Sequence, residues 1–401
     1  MLTLKEPLDF DTPEWQDFYE KLQSSVSRAS LVLTAWQIGL WVAKTLVEHH
    51  LNQQAQRPER WECCAACGKQ LESKGFVSRR ILTLAGWVEW KRRVGRCPNR
   101  CVKSHSVPFD AVLGIVAYQQ TSMELMRLGC LLALFLPFEL AVQLLKQLCG
   151  VCISDDTVWQ WVQQFGRQAM RQLDRELEAL AKGSEPSVEP LEARLDTLPL
   201  VIAADGVSVP FRPYPGSTKG KIRFREVKIA LLARLKPHQT RSGKHVTRLH
   251  QRRLVAVLGN IEALQPRLHL EALRQGITTT TQVVWISDGA RGFWRLFEQS
   301  FAAVAVGILD FYHATQHLWQ AAEAYSQTVA GRTPQQWFQR LRHQLRQGSV
   351  HHIIKEFSHL LKYASTPDAA KPTLKRVRQY LQIHLQHLKY RQFKQLGSWI
   401  K

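Results

Sequence analysis

Acidic residues are scarce in this chain: 33 Asp and Glu stand against 54 Lys and Arg over 401 residues, a formal net charge of +21. The imbalance disfavours a cationic partner and points to a polyanion. Because the basic residues are spread over several segments, nucleic acid is favoured over a membrane surface. An uninterrupted apolar run is also missing. The longest, Leu31 to Val47, contains Gln37 and Lys44 and falls short of a normal span of roughly 20 residues, so no membrane segment is expected and the run reads as a core helix. Nor is there the basic N-terminal region of a secretory signal, since Glu6, Asp9, Asp11, Glu14 and Asp17 make that end acidic. A cytoplasmic protein is therefore expected. In a reducing compartment its eight cysteines hold metal or pack rather than form disulfides. The length suits two or three domains with a sizeable core.

The most informative stretch is Val283 to Trp319. Val283-Val284-Trp285-Ile286 reads as a buried strand cut off by Asp288-Gly289, and Val304 to Leu309 reads as a second that ends on Asp310. Upstream, Leu198 to Ala204 ends in the same way on Asp205-Gly206. A single Asp-Gly is most simply a turn. Three strand-terminal aspartates in one domain instead gather carboxylates at a sheet edge, where they suit a hard, oxygen-preferring cation such as Mg²⁺. The surrounding order is strand (198–204), a Pro/Gly loop through Arg212 to Lys219, strand (222–235), a basic loop from Lys236 to Arg253, strand (253–258), helix (261–275), strand (283–286), helix (290–301) and strand (304–309). That is the order of an α/β RNase H-like catalytic domain, placed at residues 198–313.

Four segments are expected before it. Residues 1–60 hold two helices, with Trp15, Phe18, Tyr19, Leu22 and then Leu31 to Trp41 at helical intervals. Residues 61–110 form a zinc-ribbon-like β-hairpin. There Cys64-x2-Cys67-Gly68 and Cys97-x3-Cys101 bracket an alternating strand pair, so four thiolates around Zn²⁺ would hold a region too poor in apolar residues to fold alone. Whether Cys63 or Cys64 binds, and whether His105 replaces a cysteine, stays open. Arg79, Arg80, Lys91, Arg92 and Arg93 of the hairpin are candidate DNA contacts, with cross-strand packing as the simpler role of the aromatic residues between them. Residues 111–182 read as helical throughout. Phe138 to Leu148, a turn with Gly150, and a helix opening at Ser154 form a candidate helix-turn-helix, with Gln160, Gln163, Gln164 and Arg167 facing a groove. A plain packing hairpin is the alternative, because Asp155 and Asp156 would meet phosphates badly. Cys149 and Cys152 read as core thiols. Residues 183–197 are a linker, and 314–401 are helical again.

Taken together, the cysteine knuckles, Val107-Pro108-Phe109-Asp110-Ala111-Val112-Leu113-Gly114, Asp205-Gly206, Ser287-Asp288-Gly289-Ala290 and Leu309-Asp310-Phe311-Tyr312-His313-Ala314 resemble the DDE transposases of bacterial insertion sequences, the ISKra group in particular. The resemblance implies an RNase H-like domain in which Asp205 and Asp288 bind two Mg²⁺ ions while Asp310 and His313 support the site. It also implies metal-dependent cleavage and strand transfer on double-stranded DNA at element ends and target, in a bacterial, nucleoid-associated protein that could act as a homo-oligomer.

In that family a third acid, a glutamate, follows a Tyr-x2-Phe-x3-Gly stretch and a Gly-Ser-Gly type turn. Tyr390 to Gly397 matches the lead-in, and the chain then stops at Ser398-Trp399-Ile400-Lys401. Glu323 and Glu356 stand outside the matching context and are not assigned. The expectation is a truncated copy, or the first part of an enzyme completed by frameshifting. The alternative is a catalytically inactive DNA-binding protein that holds element ends or regulates the intact transposase, and an RNase H-like nuclease outside transposition is a third reading.

Overall fold

The computed structural model describes residues 8–55, 61–101, 105–190, 195, 197–211, 222–243, 245–280, 282–326 and 333–395. The chain divides into two compact units, Met1–Gln172 and Leu173–Lys401.

In the first unit, Thr12 caps helix α1 (Pro13–Gln23) by accepting from Trp15 N at 3.3 Å. Helix α2 (Arg28–Ala55) sets Trp41 against Trp15 and Phe18, with ring centroids 5.7 and 6.4 Å apart. It is not the expected core helix, because Leu31, Val32, Leu33 and Trp36 are exposed. Its apolar residues occur all round the cylinder, and among the described residues packing is on one side. By length and composition alone, α2 is apolar enough to cross a membrane.

Strands β1 (Glu72–Thr83) and β2 (Gly86–Arg96) form the expected hairpin, closed by Gly86 at φ +93°, and β3 (His105–Ser106) adds to β2. Ile81, Val88 and Trp90 are buried with Ala55 of α2 and Phe109 of α3 (Pro108–Val112). Glu48 and Asn52 of α2 accept the backbone N–H groups of Glu89 and Lys91 at 2.8 and 2.9 Å. The stretch 113–122, expected to be helical, is extended and turned. Gly114 and Tyr118 adopt positive φ, and Leu82 exchanges backbone bonds with Gln120 and Ser122.

Helices α4 (Met123–Ala133), α5 (Phe138–Cys149) and α6 (Asp155–Ala181) close on Leu125, Leu145, Val158 and Trp161. Gly129 makes room for the Trp161 ring, since a Cβ there would lie 2.9 Å from it. Gly150 ends α5 in the left-handed region at φ +66°, and the Ser154 hydroxyl accepts from Thr157 N at 3.2 Å. The expected helix, turn and helix is present. Cys152 in that turn is exposed rather than a core thiol, while Cys149 is half-buried.

The second unit is built on a five-stranded sheet. In chain order it comprises β4 (Leu200–Phe211), β5 (Arg223–Gln239), β6 (His245–Leu258), α7 (Ile261–Arg274), β7 (Val283–Ser287), α8 (Arg291–Ser300) and β8 (Ala305–Leu309), followed by helices α9 (Phe311–Ser326), α10 (Pro334–Arg346), α11 (Val350–Lys362), α12 (Lys371–Ile383) and α13 (Tyr390–Gln395). The strand order is β6-β5-β4-β7-β8. Strands β4, β5 and β6 form an antiparallel meander, and β7 and β8 run parallel to β4. Trp285 is fully buried and stacks on Phe301 of the α8 end at 5.3 Å.

Two expectations change here. The strand expected to end at Ala204 continues to Phe211, because β5 goes on pairing with it after β7 has stopped. The loop expected from Lys236 to Arg253 is instead a paired hairpin, with Lys236 opposite Arg248. The linker also has anchored parts: Glu189 N donates to Arg274 O at 2.9 Å, and its carboxylate is paired with Arg253. Residues 191–194 and 196 of the linker, the Arg212 to Lys219 loop and Leu396 to Lys401 lie outside the described residues.

Candidate functional site

The parallel ladders place the aspartates. Ala204 on β4 pairs with Ser287 on β7, and Ser287 pairs with Leu309 on β8. One residue further along each strand stand Asp205, Asp288 and Asp310. The Asp310 N–H donates to Ser287 O at 2.9 Å, which carries the ladder up to the acids themselves. Adjacent strands lie roughly 4.8 Å apart. Three carboxylates therefore share one level across three neighbouring strands, with Asp205 exposed and Asp288 and Asp310 half-buried.

Each acid turns one oxygen back onto a following backbone N–H: Asp205 onto Gly206 at 2.7 Å, Asp288 onto Ala290 at 3.0 Å and Asp310 onto Tyr312 at 2.8 Å. His313 Nδ1 stands 3.5 Å from the other Asp310 oxygen, one turn along α9. The Asp288 carbonyl accepts from Trp294 Nε1 at 2.7 Å, which ties α8 to the same edge. Among the described residues the three carboxylates do not close into a tight ligand cluster. Their chemistry, oxygen donors alone on an open edge, nevertheless fits a hard divalent cation.

Several neighbours carry no local sequence signal. Glu226 of β5 lies beside Gly206, where an added Cβ would be 2.3 Å from its Oε1, and Lys228 pairs with it at 2.5 Å. Tyr380 of α12 lies against Gly289, and its buried hydroxyl has no partner among the described residues. Burial raises the Tyr380 pKa above the usual phenol range, and the Asp288 and Asp310 charges add to the shift. His317 and His384 pack on the Tyr380 ring at 4.0 and 4.9 Å between centroids. Burial pushes His384 down to about 4, helped by His387 and opposed by a hydrogen bond to the Gly289 backbone. Of the acids outside the motif, Glu356 is occupied by Trp337 Nε1 at 2.9 Å and by Arg340, while Glu323 is exposed on α9.

In the first unit Cys64, Cys67, Cys97 and Cys101 come together, with all four sulfurs within 4.8 Å of one another. Tetrahedral Zn–S bonds of about 2.3 Å place sulfurs about 3.8 Å apart, so the cluster could hold a metal ion such as zinc. Gly68, at φ +73°, donates its N–H to Cys64 O at 2.8 Å, and Arg100 N–H donates to Cys97 O at 2.9 Å, giving one backbone knuckle per pair. Cys101 is pushed up to about 12 by the Cys67 thiol first, then by burial and by Cys97 and Cys64. Cys63 is exposed and outside the group, and the His105 side chain lies outside the described residues.

The candidate DNA contacts differ in what they touch. Arg92 is bound to Asp110 through Nε at 2.8 and 2.9 Å, and Arg79 donates to Gln119 O at 2.5 Å, so both hold the fold. Arg80 lies over Trp87 at 4.8 Å, Arg93 over Phe76 at 5.1 Å, and Lys91 is exposed. On α6, Gln160, Gln164 and Arg167 are exposed and Gln163 is half-buried.

No protein-family model and no curated protein matches the chain. Among solved structures, a chain of the "Drosophila P element transposase strand transfer complex" is similar at 10% identity with a TM-score of 0.26, over 68% of this chain and 66% of that one.

Proposed function

We propose that residues 198–313 form an RNase H-like catalytic domain and that the protein acts as a DNA transposase of the DDE type, of the ISKra group, on double-stranded DNA. The observation that carries this reading is the common register of Asp205, Asp288 and Asp310 on β4, β7 and β8. The meander of three strands followed by two parallel ones supports it.

Asp205 and Asp288 would hold Mg²⁺, two ions in all, which when bound supply an activated nucleophile and a stabilised leaving oxygen for in-line displacement at phosphorus. The protein's part is placement. The backbone bonds from Gly206, Ala290 and Tyr312 fix the carboxylates, and His313 orients Asp310 and can carry a proton at Nδ1. A zinc-bound cysteine cluster would present Arg80 and Lys91, and α6 would present Gln160 and Arg167, to the phosphate backbone.

The test is nicking of supercoiled DNA with Mg²⁺ or Mn²⁺. Cleavage should vanish in Asp205→Ala and Asp288→Ala while DNA binding persists. Cleavage that survives both substitutions would remove the aspartate site. A second reading, DNA binding without catalysis, is favoured by the open spacing of the three carboxylates. Binding with no cleavage in the unsubstituted protein would select it.

A further inference from the structure

The long hairpin of β5 and β6 holds charge that the catalytic reading does not use. Between Val227 and Ile261 there is no Asp or Glu, and eight Lys or Arg residues. Strand β4 begins at Leu200, opposite Arg234. Beyond that point β5 has β6 as its strand partner among the described residues, from Leu235↔Leu249 to Gln239↔His245. A register shift between Leu232 and Arg234, with Gln251 at φ +46°, bends the ribbon where it leaves the sheet.

The ribbon is two-faced. Leu235, Thr247 and Leu249 line an apolar cleft of about 260 Å³ on the sheet. The alternating positions Lys236 and Arg248 lie on the other face, directly opposite each other and both exposed. His238 and His250 belong to that second face by the two-residue repeat. Arg241 is exposed at the turn, and Arg252 is exposed at the ribbon's base. Among the described residues, Lys236, Arg241, Arg248 and Arg252 form no ion pair.

Like charges directly opposite on paired strands are destabilising. A ribbon selected for stability alone would set an acid across from Lys236. From Lys236 to the strand end at Gln239 the ribbon runs roughly 10 Å. Duplex DNA carries about six phosphates over that length of axis. We propose that this ribbon is a clamp for the duplex DNA backbone, binding without reading sequence through Lys236, Arg241 and Arg248. It rests on the reading of the chain as a DNA-binding protein and is independent of cleavage.

The test is equilibrium binding of a fluorescent 30-base-pair duplex by the whole chain in EDTA, over a KCl series. Lys236→Gln/Arg248→Gln should bind about tenfold more weakly near 0.1 M salt, and its log K against log[salt] should be shallower by about 2. Its melting temperature should equal or exceed that of the unsubstituted protein, because the opposed charges are gone. If the pair variant melts lower, Arg241→Gln at the exposed turn takes its place, with a slope change of about 1. Unchanged affinity and slope overturn the proposal, and so does failure of the unsubstituted chain to bind the duplex at low salt. Loss of nicking with this salt effect intact would remove the catalytic reading alone.

Discussion

The hydroxyl edge of the Tyr380 ring lies against Gly289: a Cβ at that glycine would come within 2.2 Å of Tyr380 Cε2 and 2.7 Å of its hydroxyl oxygen. The residue after Asp288 is thus glycine for lack of space. Gly289→Ala is expected to cost about 1–3 kcal/mol as overpacking, and Gly289→Ala/Tyr380→Leu should recover part of it. Denaturant unfolding of the three proteins checks this.

The same contact makes a second prediction. The Tyr380 hydroxyl is buried with no described partner, and leaving such a group unpaired costs about 1–3 kcal/mol. Tyr380→Phe should therefore unfold at the same or a higher denaturant concentration. A clear loss of stability would mean that the hydroxyl is bonded to Asp288 or Asp310 in solution.

Arg92 and Asp110 are 11% and 14% exposed, so theirs is a nearly buried pair. Removing one partner of such a pair costs about 3–5 kcal/mol, because the other charge is stranded. Asp110→Ala should show this in thermal melting. Arg80→Ala, at an exposed position, should stay within about 0.5 kcal/mol.

The cysteine cluster predicts one zinc per chain by elemental analysis. Cys97→Ser and chelator treatment should remove it and loosen the β1–β2 hairpin, while Cys63→Ser should keep it. Retention of zinc by Cys97→Ser would disprove the ligand set.

His384 sets a pH dependence. An imidazole ordinarily titrates near 6.5 and this one is held near 4, so between those values the unfolded chain binds the extra proton. Its contribution is complete above about pH 6.5 and falls away toward pH 4, by about 3 kcal/mol in all. Unfolding free energies at pH 7 and pH 4.5 should differ less in His384→Leu than in the unsubstituted protein. Equal differences would contradict the assignment.

Period-two runs, Asp-Gly breaks and cysteine spacing are local properties, and the linear sequence alone carries the β1–β2 hairpin, the strands ending at Asp288 and Asp310, and the knuckles of Cys64 and Cys97. What those signals do not convey is which partner a segment meets. Leu31 to Val47 is apolar enough for a core, yet among the described residues no neighbour covers most of it. Strand β4 runs past Asp205 because β5 keeps pairing with it, and the basic stretch from Lys236 is ordered because β6 returns alongside. The choice of Cys64 over Cys63 follows from the direction each takes beside the Cys63↔Gln70 bridge. Tyr380 meets Gly289 across 91 positions of sequence. Side-chain periodicity is written residue by residue and survives in the linear chain. Register across strands and the docking of α12 depend on atoms far apart in sequence, which only the packed structure brings together.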